Sequence, residues 1–297
     1  DTLSLHDALP ISMEIYTINN IKWGVAVEYF KKQQQGKSSY KNNLLIINWL
    51  EQYLQNKYLH EITTDLIEKI AKDKEKQGVK GSTVNKTLDL IKNILKKAEK
   101  AGYIKKVPYI LRRDEPLGRD RWLKEEEARR LISVLPTHQK DVVAFALATG
   151  LRKSNILKLE WDVINFNRKH AYIKAKHSKN KKPIPVPLNT IALDILNKRF
   201  YSFDKHERYV FTYLGKRINQ ITTKAWRNAL KLAGIKDFRF HDLRHTWASW
   251  HIQNGTSVHE LQQLGGWSKI DMVQRYAHLS SDHLRMASEN IKINLTL

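Results

Sequence analysis

Cysteine is absent from the 297 residues. That excludes a disulfide framework and any thiolate metal site, and nothing then argues for an oxidising compartment. Long apolar runs are missing too: no stretch approaches the roughly 18 residues that a membrane-spanning helix needs. Acidic residues are scarce, 30 against 52 lysines and arginines, which leaves a formal charge of +22. Solubility alone does not require such an excess. It implies a surface that lies along a polyanion, because each neutralised phosphate releases counterions and adds affinity. The expectation is a cytoplasmic, nucleic-acid-binding protein with neither internal repeats nor low-complexity tracts.

What is present suffices for two domains: the chain is 41% hydrophobic and 28% charged over a length that exceeds the usual single-domain range. Residues 1–12 contain no lysine or arginine and resemble translated adapter sequence; they are expected to be a non-native leader, with Met13 an accidental or internal start and an original N-terminal extension missing. Residues 13–104 form the first expected domain. Apolar residues three and four apart predict helices over Trp23–Lys32, Tyr40–Leu54 and Ile62–Gln77. A fourth runs from Ser82 as N-cap through Leu88, Ile91 and Leu95 to Gly102. Its polar face and that of the third helix are rich in lysine, including Lys72, Lys86, Lys92, Lys96 and Lys100, and so are expected to face DNA. Residues 105–118, with two prolines and four basic residues, read as an extended linker that straps across a phosphate backbone.

Residues 119–297 are the second expected domain, mainly helical with a small sheet. Asp141–Thr149 is a strongly apolar helix ended by Gly150, which delivers Arg152 to a turn. Runs near Val163, at Ala171–Lys174 and at Ile184–Leu188 read as strands, the last two joined by a hairpin whose tip holds Lys179, Lys181 and Lys182. Helices are expected over Lys124–Leu135, Thr190–Arg199, Thr223–Ala233, Leu243–Gln253, Val258–Leu264 and Ile270–Ala277.

The densest chemistry lies late in the chain. His241-Asp-Leu-Arg244-His245 is followed by Leu264-Gly-Gly-Trp267 and then by Arg275-Tyr276-Ala277-His278. Together with Ala148-Thr-Gly-Leu-Arg152, Lys179 in its Ser-Lys-Asn-Lys-Lys hairpin and Val186-Pro-Leu188, this ordered set resembles the tyrosine recombinases of the phage integrase family, and most of all prophage integrases. The resemblance covers the chain from about Ile21 to Ser281. It implies a SAM-like, four-helix core-binding domain followed by a mainly α, α+β catalytic domain with a small antiparallel sheet, the DNA breaking-rejoining enzyme fold. The implied activity is site-specific recombination through a covalent 3′-phosphotyrosine. Its partners would be double-stranded DNA attachment sites, a homo-tetramer assembled on them through a donated tail (residues 280–297), and DNA-bending accessory proteins; no membrane is involved. Two rivals share parts of this pattern. A type IB topoisomerase has the tyrosine, arginines and lysine but no paired sites, and a non-catalytic DNA-binding regulator would have lost a catalytic group.

Each residue also fits that chemistry on its own terms. Tyr276 can trade one phosphate ester for another, retaining the bond energy without a metal or cofactor. Arg152 and Arg244 offer planar, bidentate cations to the charge of a pentacoordinate phosphorane. His241 lies one helical turn before Arg244 and can accept the tyrosine proton or bond a phosphate oxygen. Lys179 is the expected acid for the departing 5′ oxygen, with Lys181 and Lys182 as alternatives, and Trp267 offers an uncharged N–H donor. His245 gives His-x-x-x-His spacing with His241, but Asp242 stands where the zinc-peptidase motif has glutamate and no third ligand is evident, so it reads as structural or supporting. The family often has an acid three residues after the first arginine, where this chain has Asn155; orientation of Arg152 then falls to another partner.

Overall fold

The computed structural model describes residues 20–115, 121–175, 183–203, 205–279 and 288. The chain divides into two compact units, residues 1–118 and 119–297. Among the described residues, no helix is long and apolar enough to cross a membrane.

The first unit contains, among the described residues, four helices: α1 (Trp23–Gln34), α2 (Tyr40–Leu54), α3 (Thr64–Glu75) and α4 (Gly81–Lys100). Their apolar stripes close on one core, in which Trp23, Phe30, Leu50, Ile70, Ile91 and Leu95 are fully buried. The third helix is capped by Thr63, whose side chain accepts the Leu66 N–H. The fourth begins two residues earlier than the serine signal indicates. Lys80 is the N-cap and Ser82 falls within the first turn; the backbone carbonyl of Asp114 approaches the helix start so closely that a Cβ on Gly81 would lie 2.7 Å from it. Gly102 has the left-handed φ of +76° expected just beyond a helix C-terminus.

The extended segment after α4 packs back on this unit. Ile110 is buried, and Arg113 bonds Glu68 at 2.8 Å and also pairs with Glu75. Asn85 clasps the Arg113 backbone from both sides, donating to its carbonyl and accepting its N–H. Arg112 pairs with Asp89 and Glu115. Two of the four basic residues expected to cross a phosphate backbone are therefore neutralised by acids of their own unit.

In the second unit, α5 (Glu125–Val134) and α6 (Thr137–Thr149) lead to a short α7 (Lys153–Leu157). A three-stranded antiparallel sheet follows, β1 (Ile164–Asn165), β2 (His170–Ile173) and β3 (Ile184–Pro187), in the order β1-β2-β3 with Ala171 opposite Val186. Next come α8 (Thr190–Phe200), the two-stranded hairpin β4 (Thr212–Tyr213) and β5 (Lys216–Arg217), and α9 (Lys224–Leu232). The unit continues with α10 (Asp242–Gln253), α11 (Val258–Gly265) and α12 (Asp271–Gln274). The main core gathers Leu123, Val142, Phe145, Phe211 and Leu243, with α6 at its centre. This is why α6 is apolar nearly all round. A smaller cluster of Trp247, Ala248, Ile252, Leu261, Val273 and Tyr276 fastens the last helices to α10. The helix expected over Ile270–Ala277 is broken: α12 ends at Gln274, the Tyr276 N–H bonds the Val273 carbonyl three residues back, and a 3₁₀ turn takes over at Ala277–Leu279.

Candidate active site

Helix α10 organises the site. It is anchored by its buried polar side: the Thr246 hydroxyl accepts the Leu123 N–H at 3.0 Å and donates to the Asp242 carbonyl, while Trp250 donates its indole N–H to Leu123. Its first turn carries His241 as N-cap, Arg244 buried, and His245 half-buried.

Arg244 is seated by two glycine carbonyls from distant parts of the chain. Its guanidinium donates to Gly150 at 2.7 Å and to Gly265 at 2.6 Å, and it lies 4.0 Å over the Trp267 ring. Both glycines are sterically required. Gly150, at φ +61°, ends α6 beneath Trp247, whose ring would sit 2.2 Å from an added Cβ, and a Cβ on Gly265 would meet Trp267 at 1.9 Å. Burial, and then the neighbouring Arg152 charge, pull the Arg244 guanidinium down to about 9, against which Tyr276 acts. It remains cationic at neutral pH, with no carboxylate partner among the described residues.

Arg152 caps α7, and its carbonyl accepts the N–H groups of Asn155 and Ile156. No hydrogen bond to its guanidinium forms among the described residues, so buried Asn155 does not orient it as an acid would. Its charge nonetheless reaches both Arg244 and His241. His241 is open to solvent at the helix start; desolvation by the protein behind it, followed by the charges of Arg244 and Arg152, lowers its pKa against the opposing pull of Asp242.

Tyr276 is 5% exposed, and its ring centroid is 6.4 Å from that of Trp267. The histidine at its hydroxyl is His245, through Nδ1. His241 lies behind, its ring 5.3 Å from that of His245 and perpendicular to it. Burial, then the positive surroundings from His241 and Arg275, lower the His245 pKa to about 4, so its ring is neutral at physiological pH. Thus five of the six expected site residues, Arg152, His241, Arg244, Trp267 and Tyr276, converge in one unit. The sixth, Lys179, lies outside the described residues, as do Lys181 and Lys182. Just after β2, Lys174 binds Glu160 at 2.5 Å and Asp162 at 2.6 Å, and Arg208 binds the other Glu160 oxygen at 2.7 Å. Among the described residues, no three His, Cys, Asp or Glu side chains form a group that could hold a metal ion.

The sequence profile described as Phage integrase family matches residues 121–283, which span the whole of this constellation. The chain belongs to the phage integrase family. A second profile, the phage integrase SAM-like domain, matches residues 25–114. The integrase of Salmonella phage P22 is 44% identical over 211 residues, 66% of this chain but only 54% of that protein. Tyrosine recombinase XerA of Thermococcus kodakarensis is 27% identical over 177 residues, which cover 58% of this chain and 62% of the relative. This family member thus spans little more than half the length of the P22 integrase. Among solved structures, the integrase of transposon Tn1549 in complex with a circular intermediate DNA superposes with a TM-score of 0.75 over 90% of this chain and 98% of that one, at 16% identity. At that identity the likeness establishes the fold.

Proposed function

We propose that the protein is a site-specific DNA recombinase that cuts and rejoins double-stranded attachment sites through a covalent 3′-phosphotyrosine on Tyr276, integrating or excising a prophage or similar mobile element. The observation that carries this reading is the convergence of Arg152, Arg244, His241 and Trp267 around one buried tyrosine. Two guanidinium groups with no carboxylate between them among the described residues form a site for an oxyanion. A scissile phosphate supplies the missing negative charge, and its charge grows as the phenol attacks, so the pair stabilises the transition state more than the ground state.

His241, at the solvent side of the pair, donates to a phosphate oxygen. Trp267 supplies an indole N–H donor and, through its ring face, packs against the Arg244 guanidinium. Lys179, on the hairpin between β2 and β3, protonates the departing 5′ oxygen. No metal or cofactor enters the cycle, since the phosphotyrosine conserves the ester bond until a second 5′ hydroxyl attacks it. Residues 13–104 act as the core-binding domain, joined by 105–118 to the catalytic domain at 119–297. The exposed Lys86, Lys92, Lys96 and Lys100 of α4 support its role on DNA. The protein works in the cytoplasm, as a homo-tetramer on two DNA sites with DNA-bending proteins as accessories. A tetramer suits the reaction because two duplexes require four cleavages.

The test is a covalent adduct. Incubated in chelator with a duplex taken from the DNA flanking its gene, the protein should form a denaturant-resistant, protease-sensitive complex, and Tyr276→Phe should abolish it. An undiminished adduct with the phenylalanine variant would assign the nucleophile elsewhere.

A further inference from the structure

We infer that His245 is the proton acceptor for Tyr276, a role that rests on the recombinase reading above and deepens it. The geometry singles out this residue: of the two histidines on the first turn of α10, His245 presents Nδ1 to the phenol hydroxyl, whereas His241 sits at the solvent-exposed helix start. The contact joins residues 31 apart in sequence and borders the small apolar cluster, to which Tyr276 belongs, that fastens α12 to α10. Water is a poor competitor for the proton there.

The charges around the ring keep it unprotonated at rest. His241, Asp242 and Arg244 face it from α10, and Arg275 and Tyr276 from the end of α12. His241, Arg275 and Arg244 disfavour a protonated imidazole and Asp242 favours one, so the ring rests neutral with Nδ1 facing the phenol. In the forward step the phenol oxygen bonds to phosphorus, its proton passes to His245 Nδ1, the bond from phosphorus to the 5′ oxygen breaks, and that oxygen takes a proton from the acid. On rejoining, the incoming 5′ hydroxyl yields its proton to that base, the phosphotyrosine bond breaks, and His245 returns its proton to the phenolate. An imidazolium among arginines is a strong acid, which favours that return and keeps the intermediate reversible.

His245→Asn tests the assignment, because the amide oxygen of asparagine accepts a hydrogen bond near the Nδ1 position but takes no proton. Single-turnover adduct formation is followed from pH 5.5 to 9.5 on the duplex flanking the gene. The wild-type rate should be nearly flat, since His245 is already neutral throughout. The asparagine variant should be about 100-fold slower at pH 7, the usual worth of a general base. Its rate should climb with pH, as hydroxide and ionisation of the phenol replace the missing base. His245→Ala should regain rate with added imidazole. Ring ¹⁵N spectra of the DNA-free wild type should show Nδ1 unprotonated and hydrogen-bonded at pH 7, a readout independent of any variant's folding. An active wild type beside an asparagine variant within twofold of it, with a parallel pH profile, overturns the role of His245. A wild type that forms no adduct overturns the recombinase reading itself.

Discussion

Gly150 concentrates several demands in one residue. It ends α6 in the left-handed region, passes under Trp247 with no room for a side chain, and offers its carbonyl to Arg244. Gly150→Ala should therefore destabilise the second unit by about 2 kcal/mol, lowering its Tm by about 4–8 °C. Adduct formation should fall further than the melting shift accounts for, because the Arg244 seat moves; calorimetry and the cleavage assay on one preparation separate the two. That Arg152, Arg244, Trp267 and Tyr276 belong to one candidate site is legible in the sequence, from their residue types and order, and the structure brings them together in one unit. The partnership of His245 with Tyr276 is not. Two histidines four residues apart share a helix face, and only the return of the chain at α12 decides which ring meets the phenol.

At the scale of elements, the base of the β2–β3 hairpin is held by a buried carboxylate. Lys174 and Arg208 hold the Glu160 pKa down to about 2, with hydrogen bonding to Lys174 the leading cause. Its folded pKa lies below its unfolded value near 4.5, so the contribution to stability is fully present above pH 4.5 and is lost as pH falls toward about 2. Glu160→Gln should cost about 1–2 kcal/mol at pH 7 and flatten the acid limb of stability between pH 4.5 and 2. Urea melts at several pH values measure both; an acid limb unchanged in the variant would show that Glu160 does not carry it. Helices with a clear apolar stripe, such as Tyr40–Leu54, follow from periodicity alone. The β4–β5 hairpin has strands of two residues and a turn at Leu214 and Gly215, both with positive φ, too little for alternation to register. The Asp114 carbonyl that leaves no room for a side chain at Gly81 lies 33 residues away, and no local signal carries that.

Across the whole molecule the excess of 22 positive charges predicts the behaviour of the complex with DNA more directly than any single contact does. Affinity for duplex DNA should fall steeply with salt, on the order of 10³-fold between 50 and 200 mM if at least six phosphates are neutralised. Equilibrium binding over that range gives the slope, and a slope near zero would refute a phosphate-tracking surface. The count of basic residues overstates the available charge, since Arg112, Arg113 and Lys174 are paired with acids of their own unit.

The sequence by itself determined the helical periods, the excess of positive charge and the ordered set of reactive side chains, because these depend on residue type and spacing along the chain. Tertiary structure decided which carbonyls seat Arg244, which histidine meets Tyr276 and which arginines are already neutralised. Those outcomes depend on side chains tens of residues apart meeting at bonding distance. Packing around a buried core sets such distances, and local pattern carries no record of them.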